Sequence, residues 1–288
     1  MAEAGAKKGN EKGSGDALSG RAVRAFRRKV LSWYREHGRA FAWRATTDPY
    51  AVLVSEIMLQ QTRTERVEEK YAQFLSAFPD FPSLDRAALH EVLKVWQGMG
   101  YNRRALALKE IARRVVREQG GALPATEEEL RRLPGIGKYT ASAVMVFAFN
   151  RPAVFIETNV RTVFLHFFFP DRAGVHDREL VPLVERTLDR RDPRTWYYAL
   201  MDYGVMLKRS LENPGRRSVH HKKQAPFRGS NRQVRGMILK ALVEQPGLSE
   251  EEVAARVPAA PEALRENLRA LQTEGFIVKR GRTLRIAS

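Results

Sequence analysis

Two carboxylates stand in contrasting settings, one where a charge is costly and one where it is favoured, and such groups are where proton-transfer chemistry begins. Glu56 interrupts the run Val52, Leu53, Val54, Ile57, Met58 and Leu59. On a helix with that apolar content its carboxyl is half-buried. Desolvation then raises the pKa of the acid toward the neutral range in which a general acid works. Glu157, in Phe155-Ile156-Glu157-Thr158-Asn159-Val160, falls at or near a helix N-terminus, where aligned peptide dipoles favour an anion. Each residue also has a bland reading: Glu56 as an exposed face or a buried salt bridge, Glu157 as a helix-end charge.

Between them lies Leu133-Pro134-Gly135-Ile136-Gly137-Lys138-Tyr139-Thr140, set between two helical runs. Pro134 stops the first run, and glycines at 135 and 137 let the backbone turn without Cβ clashes. The bare N–H groups of the turn and of the next helix's first turn make a phosphate site, to which Lys138 adds charge. Such a site grips a nucleic-acid backbone and carries no sequence information. The apolar run Ala141–Phe149 that follows is read as core.

These residues need a scaffold of helices. From Arg21 to about Tyr203 apolar residues recur at three- and four-residue spacing in Ala25–Tyr34, Val52–Met58, Val67–Phe78, Leu89–Trp96 and Leu106–Val116. Gly38, Pro79, Pro82, Gly98, Gly100, Gly120 and Gly121 punctuate them. Thr126-Glu127-Glu128-Glu129 reads as a capping box opening the helix that leads into the hairpin. No β patterning interrupts this all-α unit. The segment Lys208–Arg235 holds nine Lys/Arg against the single acid Glu212 and is broken by Pro214, Gly215, Pro226 and Gly229. It reads either as a solvated linker or as a phosphate-tracking surface. Helical patterns at Arg232–Glu244, Ser249–Val257 and Pro261–Gly275 then precede a hairpin of Phe276–Lys279 and Thr283–Ile286, a winged-helix pattern. This last unit either contacts DNA or packs as an accessory domain.

Composition agrees with a polyanionic partner: 50 Lys+Arg against 33 Asp+Glu give a net charge of +17. The absence of cysteine excludes disulfides, a catalytic thiol and thiolate metal sites. No apolar run approaches the ~20 residues of a membrane span. The residues from Met1 to Gly20 are rich in Gly, Ala, Lys, Glu and Ser, lack the apolar core of a signal peptide, and read as a disordered arm. The expected location is intracellular, in cytoplasm or nucleoid.

Taken together, hairpin, helix and acid-bearing helix start resemble the helix-hairpin-helix (HhH-GPD) base-excision DNA glycosylases. The N-terminal half is similar to the MutY-type adenine glycosylases, through Phe41-Ala42-Trp43-Arg44, Asp48-Pro49-Tyr50, Val54-Ser55-Glu56-Ile57-Met58-Leu59-Gln60-Gln61-Thr62, Trp96-Gln97-Gly98-Met99-Gly100-Tyr101 and Ala199-Leu200-Met201-Asp202-Tyr203-Gly204. The resemblance implies that Glu56 is the general acid on adenine N7 and also handles the attacking water. Glu157 falls where the family usually has aspartate, the group that stabilises the sugar cation. Tyr139 stands where bifunctional relatives such as endonuclease III carry a Schiff-base lysine, which implies a monofunctional enzyme. Lys138, one residue off, faces phosphate. Asn159 is implied to support the catalytic acid, Arg39, Trp43, Arg44 and Asp202 to line the base pocket, and Gln61 and Tyr101 to wedge into the duplex as the base is flipped out. Thr62, Gly135, Gly137 and Thr140 complete the expected DNA-contacting set.

Two departures accompany the resemblance. The family's four cysteines that hold an iron–sulfur cluster after the Met-Asp string are missing from Val205-Met206-Leu207-Lys208-Arg209-Ser210 onward, so no cofactor is expected. The larger Nudix-like domain that reads 8-oxoguanine is replaced by the winged-helix pattern. The expected organisation is an arm at 1–20, a two-lobed all-α glycosylase domain at 21–207, a basic loop at 208–229 and a small α+β winged-helix-like domain at 230–288. The expected function is removal of a mispaired base, adenine first, from double-stranded DNA by a monomer. The alternatives are thymine or uracil excision at G mismatches, and a non-catalytic protein that binds damaged DNA.

Overall fold

Helix ends in this chain are fixed by side-chain caps that the sequence places at the breaks. In the computed structural model, which describes residues 18–221 and 226–287, Ser19 caps α1 (Gly20–His37) through the N–H of Ala22. Over residues 1–17 the expected N-terminal arm lies outside the described residues. A 3₁₀ turn at Ala42–Arg44 leads to α2 (Pro49–Leu59), where Asp48 accepts from the N–H groups of Tyr50 and Ala51 and Pro49 fills the first helical position. The chain continues through α3 (Thr64–Ala77), α4 (Phe81–Arg86), α5 (Leu89–Trp96), α6 (Arg103–Glu118) and α7 (Glu127–Arg132). Thr126 caps α7 through the N–H of Glu129, at 3.3 Å, as the sequence reading expects. Then follow α8 (Lys138–Phe147), α9 (Thr158–Phe168), α10 (Asp177–Thr187) and α11 (Pro193–Ser210).

Two lobes result. Helices α2 to α8 pack on one another, whereas α1 joins α9, α10 and α11. Phe26 of α1 docks the second lobe, its ring meeting Phe164, Phe167, Phe168 and Trp196 edge-on at 5.1–5.7 Å. Helix α2 is the centre of the first lobe: every residue from Tyr50 to Met58 is buried. A helix apolar all round has no solvent face. In the second lobe α11 lies hard against the start of α9. A Cβ on Gly204 would stand 2.4 Å from the carbonyl oxygen of Asn159, so only glycine permits the approach.

The basic stretch read as starting at Lys208 is more ordered than its composition indicates. Helix α11 runs on to Ser210, and Pro214–Arg217 form a 3₁₀ turn. Arg217 donates to the carbonyls of Leu165 and Phe169, closing the C-terminus of α9. Residues 222–225 lie outside the described residues. The C-terminal unit comprises α12 (Asn231–Glu244), β1 (Leu248–Ser249), α13 (Glu250–Arg256), α14 (Pro261–Thr273), β2 (Ile277–Arg280) and β3 (Thr283–Ile286). Its antiparallel sheet has the order β1-β3-β2, with Gly281 at φ 61° in the tight β2–β3 turn. This is the winged-helix arrangement, with the short strand β1 added. Among the described residues, no helix is long and apolar enough to cross a membrane.

One buried side chain ties the first lobe's loops together. Arg104, at 8% exposure, donates through Nη1 to the carbonyls of Ile57, Met58 and Gln60, and through Nη2 to those of Met99 and Gly100. Its guanidinium lies 5.4 Å from the Trp96 ring and 5.3 Å from the Tyr101 ring. Burial among carbonyls rather than carboxylates brings its pKa down to about 10. The loops so held contain Gln61 at φ 55° and Tyr101 at φ 47°, left-handed conformations that cost a non-glycine residue about 1–2 kcal/mol.

Arg104→Met should therefore do more than remove a contact, because several buried carbonyls lose their donor. We expect a loss of about 2–4 kcal/mol in urea unfolding. A loss below about 1 kcal/mol would show that the loops hold themselves.

Candidate active site

Glu56 lies on α2 at the junction of the lobes, and its surroundings decide its protonation. It is 6% exposed, and burial raises its carboxyl to about 7. The negative charge of Glu157 adds to that rise, while a long hydrogen bond from the Tyr139 hydroxyl, at 3.5 Å, and the more distant Arg44 oppose it. Tyr139 is positioned by α8, its ring edge-on to Phe155 at 5.4 Å. Burial beside two carboxylates keeps its phenol protonated. A lysine here would face Glu56; this chain presents a hydroxyl instead.

Glu157 is the N-cap of α9. Its Oε1 accepts from the N–H groups of Asn159 at 2.6 Å and Val160 at 2.7 Å, and Oε2 accepts from the Asn159 side-chain amide at 3.2 Å. The glutamate thus folds back onto its own helix, which takes up the extra methylene relative to aspartate. Burial pushes its carboxyl up, opposed by those two backbone donors and by Lys208 and Arg161. Asn159 is locked in turn, its Oδ1 accepting from Lys208 Nζ at 2.7 Å. Asn159, expected to support the catalytic acid, is thus bonded to Glu157.

Of the expected base-pocket residues, three form one charge cluster. Asp202, 2% exposed, accepts from the Arg39 backbone N–H (2.8 Å), Arg39 Nε (2.8 Å) and both terminal nitrogens of Arg44 (2.8 and 2.9 Å). Its carboxylate is depressed by these hydrogen bonds against the opposing effect of burial. Asp202 is therefore occupied by arginines rather than open to a base. Arg44 lies between Phe41 and Tyr198, 4.5 Å from the Tyr198 ring centre. Trp43 is 4% exposed, stacked on Phe41 at 4.7 Å and edge-on to Tyr71, and belongs to the core.

The hairpin joins α7 to α8 with Gly135 at φ 74°. A Cβ there would sit 3.0 Å from the Ala107 side chain of α6. Gly137 has ordinary backbone angles, caps α8 and faces open space, so its use is close approach rather than a special φ. Gly135, Gly137 and Lys138 are exposed, as a phosphate site requires. Thr140 is not: it is buried, and its hydroxyl accepts from Gln60 Nε2 at 3.1 Å, linking the end of α2 to α8. The reading of its side chain as a DNA contact is corrected accordingly. Gln61, Thr62 and Tyr101 gather on the side held by Arg104, where all three line one cleft.

Sequence reasoning missed Lys208, Tyr198 and Arg104. By composition Lys208 falls in the linker, because its basic neighbours hide the continuation of α11, which Met206 and Leu207 signal. Tyr198 precedes Asp202 by one helical turn, so the two share a face and both meet Arg44. Nothing in the local sequence marks Arg104, since its partners are backbone carbonyls. The residues after Gly204 do not fit an iron–sulfur cluster. They contain no cysteine, and among the described residues no group of three or more His, Cys, Asp or Glu could hold a metal.

This geometry can be set beside known proteins. The HhH-GPD superfamily of base excision DNA repair proteins matches residues 54–183. An adenine DNA glycosylase of Rattus norvegicus is 42% identical over 147 residues, covering 48% of this chain and 28% of that protein. A thymine/uracil-DNA glycosylase of Methanothermobacter thermautotrophicus is 30% identical over 195 residues, covering 67% of this chain and 88% of that protein. The chain thus spans under a third of the rat adenine glycosylase but most of the archaeal enzyme. A solved thermostable thymine-DNA glycosylase superposes with a TM-score of 0.59 at 31% identity, over 64% of this chain and 86% of that one. An endonuclease III–DNA complex shares the fold, with a TM-score of 0.52 at 20% identity, over 73% of this chain and 91% of that one. On the archaeal match, together with the hairpin and the carboxylates it positions, the chain belongs to the HhH-GPD superfamily of base excision DNA repair proteins.

Proposed function

We propose that this protein is a monofunctional DNA glycosylase that removes adenine from mispaired duplex DNA. The observation that carries the reading is Glu56, a carboxyl raised to about 7 with no cation bonded to it, facing a second carboxylate fixed by backbone donors. Adenine is a poor leaving group that departs readily once N7 is protonated. Glu56 gives its proton to N7, the C1′–N9 bond breaks, and the electrons of that bond leave with the base. The resulting sugar cation lies against Glu157, and a water deprotonated by Glu56 adds to C1′. The products are free adenine and an abasic site. Tyr139 supplies no amine, so no Schiff base forms and the strand stays intact. The hairpin's exposed amides and Lys138 hold a backbone phosphate, and Gln61 and Tyr101 fill the space of the extruded base. The chemistry runs without an iron–sulfur cluster.

A second reading, thymine or uracil excision opposite guanine, is favoured by the archaeal relative, of which this chain covers 88%. Pyrimidines leave as N1 anions and gain less from a protonated carboxyl, which is why adenine stands first.

Duplexes carrying A:8-oxoguanine, A:G, G:T and G:U pairs, incubated with the protein and cleaved with hot alkali, separate these readings. Cleavage confined to adenine strands, lowered at least about a hundredfold by Glu56→Gln, is the expected result. Cleavage at thymine or uracil establishes the second reading, and nicking without alkali refutes the monofunctional assignment. Because Glu56 must start protonated, the single-turnover rate should fall as pH rises through about 7; a rate flat to pH 9 would remove Glu56 from the role.

Stability carries the same signature. The folded carboxyl titrates above its unfolded value of 4.5, so the folded state holds the extra proton between those pH values and stability declines as pH rises from about 4.5 to 7. Glu56→Gln abolishes that decline. It should stabilise the protein by about 2 kcal/mol more at pH 8 than at pH 5, as read by denaturant unfolding. Equal effects at both pH values would mean that Glu56 is not desolvated.

A further inference from the structure

Two buried glutamates share the junction of the lobes, and residue type gives neither of them priority for a proton. Burial pushes both carboxyls up, and the charge of Glu157 adds to the rise at Glu56. Their surroundings differ in where positive charge is fixed. Glu56 of α2 faces the neutral phenol of Tyr139, and Arg44 nearby is bonded to Asp202. Glu157 lies in the field of Lys208, a half-buried lysine in the last turn of α11.

The approach of Lys208 is built into the packing. Gly204 and Lys208 lie one turn apart on α11, so they share a face, and both meet Asn159. At Gly204 the missing Cβ lets the two helices touch; one turn on, Lys208 Nζ donates to Asn159 Oδ1 at 2.7 Å. The Asn159 amide donates in turn to Glu157 Oε2 at 3.2 Å, so one side chain joins ammonium to carboxylate. The other charged groups around Glu157 are already engaged. Arg161 of α9 pairs with Asp177 of α10 at 2.6–2.7 Å, and Arg217 of the 3₁₀ turn is bonded to carbonyls at the far end of α9. Tyr139 of α8 and Tyr197 of α11 are buried phenols held neutral. Desolvation draws the Lys208 ammonium down, and the charge of Glu157 opposes that fall.

We propose that Lys208 is a positioning residue that decides which glutamate carries the proton: through Asn159 it fixes Glu157 as the anion and leaves Glu56 as the acid. Both members of the pair are glutamates, so the asymmetry comes from a fixed cation and not from the acids themselves. Without the ammonium, Glu157 holds a proton to higher pH, and a single proton is shared between the two carboxyls. The site then lacks, for part of the time, the anion that steadies the sugar cation. This role rests on the base-excision reading above but fails separately from it, because the charge coupling exists whether or not a base is excised.

Lys208→Met, similar in length and uncharged, is expected to move the acid limb of the single-turnover pH–rate profile up by at least about half a pH unit and to lower the maximal rate about tenfold. A purely structural loss lowers the rate without moving the limb. Lys208→Gln, milder toward folding because it keeps a donor for Asn159, is expected to move the limb in the same direction, and Lys208→Arg, which keeps the charge, to leave it in place. Stability reads the same coupling without catalysis. In Lys208→Met the Glu157 carboxyl keeps its proton to higher pH, so the folded state loses more as pH rises. The loss in urea midpoint is expected to be about 0.3 M larger at pH 8 than at pH 5, and this difference to vanish in a Glu157→Gln background. An acid limb unmoved in both Lys208→Met and Lys208→Gln, or a midpoint loss equal at the two pH values, overturns the proposal. A pH-dependent loss tied to Glu157, in a protein that excises no base, supports the coupling and overturns the catalytic reading instead.

Discussion

The site depends on how its positive charge is disposed of. Glu56 can be a carboxylic acid near neutrality only if no guanidinium pairs with it, yet Arg44 is close enough to influence its titration. Asp202 resolves the conflict. By binding both ends of Arg44 and clasping Arg39, it commits those cations to itself and leaves Glu56, among the described residues, with a long contact from a neutral phenol. A buried carboxylate between two arginines is costly to desolvate, and burial of this cluster is repaid only by its full set of hydrogen bonds. Two buried carboxyls of one chain are thereby shifted in opposite directions, Asp202 down by its arginines and Glu56 up by burial, a difference that the environment sets rather than the residue type.

A second constraint sits on the other side of α2. Arg104 gathers carbonyls from the end of α2 and from the loop after α5, so the two loops cannot move independently. Left-handed backbone at Gln61 and Tyr101 persists because this network over-determines it. Side chains on such rigid loops meet a partner without the loss of ordering entropy that a flexible loop suffers on every encounter. The contact of Arg232 with Tyr101 extends the rigid region into the C-terminal unit. The small unit is thereby part of the same surface as Gln61 and Tyr101 and not an appendage on a linker.

Arg217 closes the end of α9, and Lys208 reaches Asn159 from the last turn of α11. Basic side chains that composition assigns to an unstructured, DNA-tracking loop are thus partly internal supports, one of them directly behind Glu157.

Much of this was written in local sequence. The helices follow from apolar spacing and from caps such as Asp48 and Thr126, the hairpin from Gly135 and Gly137, and the buried acid from an ionisable residue in an otherwise apolar helix. These are short-range properties: periodicity, backbone freedom and desolvation act within a few residues. What only the tertiary structure decided is which groups meet across long separations. That Asp202 is spent on Arg39 and Arg44, that Thr140 turns inward to Gln60, that Trp43 is core, and that Arg104 serves carbonyls rather than DNA all depend on packing between distant helices. A guanidinium or carboxylate looks the same in sequence whether its partner is a ligand, a neighbour or a row of carbonyls. Only the fold sets the distances that choose among them.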